Sequence, residues 1–432
     1  MTRQNIAQYA LQALKKAGAD KAACTVTRSR NEEFNVEANK FSLLRTRFSD
    51  ELSLKAICGG RKGVTLVNKL DKDSINQAVA DCITLAESSM PDEAEDVAEE
   101  IENKSFSDNY GGPDMEGLLN RSNEFLEQLR DEFPKIVLGL MVTDFTAAQT
   151  TYINSKGAEF DREIECYGIS TMFNAVDGEK SSSFSSYGAA TKSLSTPFMD
   201  LGLFRKLLAE SAKSLDTRMV DKKFVGKVIV APSCEDMIWG TLLDSFLSDR
   251  SLVEGTSRWK DKLGKKVADP KLTMRFAPHN KSVVAGERFT LDGYESKDAD
   301  VIKDGVLASF ALSLYGSLKT GYPRAKNTAF SNIEVAAGDT TLAQMIKGVD
   351  RGILLSRFSG AAPGPSGDIS GVAKNSFMIE NGKVTDALSE TMISFNIIDI
   401  LKKIPAISKE RCKNGATILP WCCFDGITIS GK

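Results

Sequence analysis

The sequence predicts an α+β protein. Residues 1–220 read as an N-terminal α/β-layered domain with an antiparallel sheet and helices, and residues 221–432 as a C-terminal, mainly antiparallel β domain. Three observations carry this reading. Through the first half, helical-period apolar stripes alternate with strand runs in the order helix, several strands, helix, twice over. After Lys223 the helical stripes shorten, and Asp304-Gly305, Asn381-Gly382 and Asp425-Gly426 punctuate the strands with dipeptides that favour positive-φ hairpin turns. The balance of 42% hydrophobic and 26% charged residues over 432 positions suits globular domains and excludes disorder or fibrous repeats.

Taken in order, Ile6, Tyr9, Ala10, Ala13, Leu14 and Ala17 predict a helix over 5–17 that Gly18 stops. Strands are expected at 24–27, 34–38 and 52–57, and the Gly59–Gly63 turn into Val64–Val67 reads as a hairpin. A second helix, opened by Asp73 or Ser74, places Ile75, Ala78, Val79, Cys82, Ile83 and Ala86 on one face. Residues 91–102 hold seven acids in twelve positions, which predicts a solvated acidic connector near 91–104 rather than a cation site. A helix through Met115, Leu118, Phe125 and Leu129 then precedes a strand at 136–142, with a hairpin expected around Asp177-Gly178. Another helix uses Leu201, Phe204, Leu207, Leu208 and Leu215. In the second half, 224–231 reads as a strand and 234–248 as a helix, with short helices near 341–349 and 396–403.

Composition narrows the chemistry. The chain has one histidine, His279, so a Ser-His-Asp triad would have to use it, and a helix with two zinc-binding histidines cannot exist. With 55 basic and 58 acidic residues, no cation surplus drives counterion release, and nucleic acid is not expected as a partner. No window approaches a membrane-spanning apolar run and the first residues lack a signal-peptide core, so neither membrane association nor export is expected and the location reads as cytoplasmic. The eight cysteines form no C-x-x-C pair and read as small buried hydrophobes in a reducing compartment.

The helix at 234–248 carries a wide apolar band of Met237, Ile238, Trp239, Leu242, Leu243, Phe246 and Leu247. Its remaining stripe, Gly240, Thr241, Asp244, Ser245 and Ser248, is small and polar. Such a stripe can line a cleft, but on residues alone it reads as the ordinary solvent edge of a half-buried helix. Elsewhere, the basic stretch Arg258, Lys260, Lys262, Lys265 and Lys266 around Trp259 reads as a solvated loop or a peptide-contact rim. The glycine-rich run 359–371 lacks a phosphate-loop signature and reads as a loop, with a lid over a peptide groove as the sharper alternative. On a strand, Cys422 and Cys423 would face opposite ways, Cys234 would be a buried thiol at a helix start, and His279 a surface-turn residue.

Five segments, VIVAPSCEDMIWGTLLDSFLSD, EGTSRW, DVIKDGVLASFALSLYGSLKTG, NSFMIENGKV and the closing LPWCCFDGITISGK, occur in an order that resembles the TldD/PmbA family. The likeness spans the whole chain and points to the PmbA branch, also called TldE. In the TldD branch a His-Glu-x-x-x-His helix and a cysteine near the C-terminus hold zinc. Laid on this sequence, that motif falls on Gly240, Thr241 and Ser245, with Asp244 inside it and Cys412 as the cysteine. Glycine offers no ligand atom, threonine is no general base at neutral pH, and a serine hydroxyl grips zinc poorly.

The resemblance therefore implies a subunit with no catalytic residues and no cofactor of its own, zinc being expected only in a TldD-type partner. It further implies a heterodimer with that metallopeptidase subunit, a homodimer when the chain is alone, and short or unfolded peptides as substrates for proteolysis and peptide maturation. A β-rich wall with a free strand edge would hold such a peptide by main-chain hydrogen bonds. The family's older name, modulator of DNA gyrase, follows from no residue here. Two alternatives stand beside this: a self-sufficient hydrolase with non-histidine chemistry, such as a Ser–Lys pair or a metal on Asp244 and Cys412, and a regulatory binding protein.

Overall fold

The structure, a computed structural model, describes residues 1–99, 103–328, 332–360 and 364–431. Two helix–hairpin–helix units build the N-terminal sheet. In the first, α1 (Arg3–Lys16) leads into β1 (Lys21–Glu37), β2 (Lys40–Cys58) and β3 (Arg61–Val67), and α2 (Lys72–Ser88) closes it. After β4 (Asn103–Asp108), the second runs through α3 (Met115–Glu132), β5 (Ile136–Asn154), β6 (Glu159–Asp177), β7 (Lys180–Ser181), β8 (Ser185–Thr191) and α4 (Phe204–Lys213). The units join through an antiparallel β1–β5 pair, giving the order β3-β2-β1-β5-β6-β4, with β7 and β8 also on β6.

Local chemistry sets the ends. Thr2 caps α1 by accepting from the Asn5 amide, and Asp114 caps α3 through Gly117. The cap of α2 is Asp71, earlier than either residue expected, because its carboxylate reaches the Ser74 amide and hydroxyl. The separate strands expected at 24–27 and 34–38 are one strand of 17 residues. Cys24 and Val26 pack with α1 and α2, whereas Phe34 and Val36 pack with α3. The polar stretch between them obscures the continuity. It persists as strand because its side chains are satisfied across the sheet: Glu33 pairs with Arg45, and Asn31 donates to Asp144.

The acidic connector is only partly solvated over the residues described, which exclude 100–102: Glu93 and Glu99 are exposed, but the rest packs. Val97 and Ala98 are buried, and Glu95, 6% exposed, pairs with Lys55 and Lys62. Asp96 pairs with Lys21, and Asp92 with Lys319 of the second half. Lysines on neighbouring elements neutralise the acid run, which lets it pack.

The C-terminal sheet opens with β9 (Thr217–Arg218) and β10 (Phe224–Val230) and has 14 strands among the described residues. It is mainly antiparallel, though β10 runs parallel to Arg351–Leu355 and antiparallel to Ile418–Ser430. Asp304-Gly305 and Asn381-Gly382 close hairpins with both residues at positive φ. Asp425-Gly426 does not: it lies within Ile418–Ser430, where the register against β10 shifts between Gly226 and Val228, so the dipeptide forms a bulge. The glycine-rich run is largely strand, since Arg357–Gly360 pairs with Asp368–Lys374; residues 361–363 fall outside those described.

The expected helix at 234–248 is broken. A 3-10 turn (Pro232–Cys234) leads into α5 (Asp236–Leu242), a π turn follows (Leu243–Leu247), and Ser248 becomes extended at ψ 159° before a helix at Asp249–Val253. Two cores flank the central strand. Cys422 and Phe424 enter the one containing Trp239 and Phe246, while Trp421 and Cys423 enter the one that also holds Phe145 and Phe173 of the N-terminal sheet. The second core therefore fuses the two halves, and the Asp108–Arg288 pair, 2.7 Å long and largely buried, bolts them at the side. Among the described residues, no helix is long and apolar enough to cross a membrane.

Candidate functional site

The apolar band on α5 and its π turn fixes this region. Ile238, Trp239, Leu242, Leu243, Phe246 and Leu247 are all buried, and Phe246 stacks on Trp259 at 5.5 Å. That stack pins the basic stretch, whose Arg258, Lys260, Lys262, Lys265 and Lys266 remain exposed as a loop. Behind the band, Glu235 is fully buried and accepts from the Trp239 indole at 2.7 Å through Oε2, with the Cys422 thiol beside it. Burial pushes its carboxyl up to about 8. Burial and this neighbouring carboxylate also raise the Cys422 thiol well above its usual value.

The polar stripe opens the other way. Gly240 is half-buried, and a Cβ added there would meet nothing within 4 Å. Thr241 is buried, its hydroxyl donating to the Met237 carbonyl. Asp244 and Ser245 line an open polar cavity of about 420 Å³ with Ser248, Arg250 and Glu254. Cys412 lines a different one. It sits on the strand Ala406–Lys413, 8% exposed, with its sulfur 3.2 Å from the Tyr187 hydroxyl. Burial raises this thiol, with Glu235 adding to the shift. The structure thus brings Asp244 and Ser245 together and sets Cys412 in another cavity. These residues do not fit zinc: a glycine, a threonine committed to its own backbone, and a thiol bonded to a tyrosine supply no converging donor set. Among the described residues no group of three or more His, Cys, Asp or Glu side chains could hold a metal.

The Cys412 cavity, about 540 Å³, lies where the two halves meet. Ser170 of β6 and Ser186, Tyr187 and Gly188 of β8 form one wall, and Ser233 and Asn414 stand opposite. Tyr187 is held by an edge-on contact with Phe204 at 4.9 Å, and Thr171 donates to its carbonyl. β8 pairs with β6 on its inner side; on its outer side Ala190 donates to Asn414. The cavity therefore presents a strand edge, hydroxyls and a buried thiol. Tyr187 and its neighbours escaped sequence reasoning because Ser-Ser-Tyr-Gly carries no motif; only its strand-like flanks were readable. Cys234 is buried and His279 lies exposed in a turn, its Nε2 2.8 Å from the Ser296 carbonyl oxygen.

The sequence profile of the PmbA/TldA metallopeptidase C-terminal domain matches residues 225–431. Over residues 225–431 the chain belongs to the PmbA/TldD family. Metalloprotease PmbA of Escherichia coli O157:H7 is 25% identical over 242 residues, a match spanning 54% of this chain and 52% of that protein, about half its length. The Metalloprotease PmbA homolog of Haemophilus influenzae is 22% identical and aligns over 98% of this chain and 95% of that one. The crystal structure of TldE from Thermococcus kodakarensis superposes with a TM-score of 0.81 at 19% identity, covering 99% of both chains, which shows the shared fold. The family is metallopeptidase-like, yet the stretch containing α5 carries no histidine, and Gly240, Thr241 and Ser245 stand where the zinc motif would fall.

Proposed function

We propose that this chain is the non-catalytic, TldE-like subunit of a two-subunit metallopeptidase, with the zinc and the cutting supplied by a TldD-type partner. The observation that carries the reading is at the two positions where a first zinc ligand and a general base would stand: Gly240 has open space in place of a side chain and Thr241 is turned to its own backbone. Within such a pair the chain's role is to hold substrate. The Cys412 cavity supports this, because Ser186–Gly188 line it from a strand that, among the described residues, pairs with β6 on one side and has no strand on the other. An extended peptide laid there would bond through its main chain, indifferent to its sequence, as suits short or unfolded substrates of varied composition.

The test is reconstitution. The chain alone should not cleave unfolded peptides, the pair with a TldD-type subunit should, and chelation should abolish the activity. Replacing Gly188 by Pro, which blocks an edge amide, should raise KM with little change in kcat. Chelator-sensitive cleavage by the isolated chain would overturn the reading.

A further inference from the structure

The cavity that holds Cys412 is set apart by its charge. Twelve described residues line it, and none of the twelve is charged. In a chain with 26% charged residues, about three would be expected on a lining of that size. Two other cavities run the opposite way. The one at Asp244 also carries Arg250 and Glu254, and another holds Arg275, Asp300, Lys303 and Glu334.

Charged groups close by in the chain are kept off its walls. Arg411 is bound to Glu334 at 2.7 Å, and Lys413 is exposed outside the lining. Glu235, near enough to Cys412 to raise its thiol, is itself buried, and burial pushes its carboxyl up to about 8, so it is largely neutral at pH 7. The polar groups that do line the cavity are fixed in place. Gly202, at φ +56°, leaves room for the Tyr187 hydroxyl, which a Cβ there would strike. Asn414 Oδ1 accepts from the Ala416 and Thr417 amides, so what Asn414 can offer a ligand is its NH2 group. Ser170 and Ser186 are exposed, with hydroxyls that both donate and accept.

A peptide in this cavity meets donors and acceptors but no countercharge. Its main chain bonds whatever its sequence; the walls, however, distinguish charge. An uncharged polar side chain is matched by the hydroxyls and the carboxamide. A Lys or Glu side chain gives up water there and gains no partner of opposite sign, a cost that a neutral residue avoids.

Resting on the peptide-holding role given above, we propose that the Cys412 cavity selects uncharged stretches of peptide, taking Gly, Ser, Thr or Asn residues and rejecting charged ones. Fluorescence anisotropy of the purified full chain tests this with three labelled peptides of equal length. One contains Gly, Ser and Thr alone; in the other two the central residue is Lys or Glu. The neutral peptide should bind roughly tenfold tighter than either, the low end of what an unpaired, partly desolvated charge costs. Ser186→Asp, at an exposed position, should abolish the penalty on the Lys peptide and deepen that on the Glu peptide. Should that variant misfold, Ser170→Asp is expected to act the same way. Equal binding of all three peptides, lost in Gly188→Pro, would overturn the selection and leave the peptide-holding role standing. Equal binding that survives Gly188→Pro, or no binding at all, would overturn both. Discrimination unchanged in the folded Asp variant would place the selection elsewhere and overturn the proposal.

Discussion

The two sides of α5 and its π turn make an instructive contrast. One side is full: Trp239, Leu242, Phe246 and Leu247 are buried to within 1% in a close-packed core. The other is bare, a glycine with open space above its Cα and an exposed aspartate facing a polar cavity. In a metallopeptidase helix both sides are constrained, one by packing and the other by ligands. Here the packed side is intact, and the open side carries neither histidine nor glutamate. The fold depends on the buried side, so changes on the open side carry little cost, and a family member can keep its architecture without a donor set.

The largest expected effect lies on the full side. Trp239→Ala should cost about 3–5 kcal/mol through the cavity it leaves, and more because it strips Glu235 of its indole donor; a denaturant midpoint of the C-terminal half measures it. If the cost were below about 1 kcal/mol, the band would not be the anchor described here.

Glu235 comes next. Its carboxyl is neutral in the folded chain up to about pH 8 but ionises from about 4.5 when unfolded. The unfolded state thus releases a proton that the folded state keeps, and stability falls as pH rises from about 4.5 to about 8, then levels. Glu235→Gln should remove that slope, gaining on the order of a few kcal/mol at pH 8 and little at pH 4. Melting curves across pH should show the variant pulling ahead of wild type; parallel curves would contradict the buried neutral acid.

The smallest effects belong to the open side. Gly240→Ala should stabilise by about 0.5–1 kcal/mol, since a helix-interior glycine gives way to alanine with free space for its methyl group. Ser245→Ala should change stability by less than about 0.5 kcal/mol. A large loss in either would mean the stripe is packed after all.

Much of the fold was legible because periodicity survives wherever one face is buried, as in α1, α2 and the hairpins at Asp304-Gly305 and Asn381-Gly382. The misses share a cause. Where partners come from distant sequence, the local pattern misleads: the acid run at 92–96 packs because Lys21, Lys55, Lys62 and Lys319 meet it. Asp425-Gly426 bulges within a strand because β10 lies alongside. The helix at Leu314–Thr320, with Ser313 capping Gly316 and Gly321 at positive φ, spans only 7 residues, too few for its apolar stripe to show a helical period. For the site, the identities of Gly240, Thr241 and Ser245 were plain in the sequence. The placement of Cys412 beside Tyr187 was not, because 225 positions separate them along the chain.

The central claim is that this chain grips no catalytic metal. Metal analysis of the purified full-length protein, after incubation with zinc and gel filtration, tests it most directly. The account predicts zinc far below one ion per chain, with Cys412→Ser and Ser245→Ala indistinguishable from wild type. One zinc per chain, retained through filtration and lost in either variant, would contradict it.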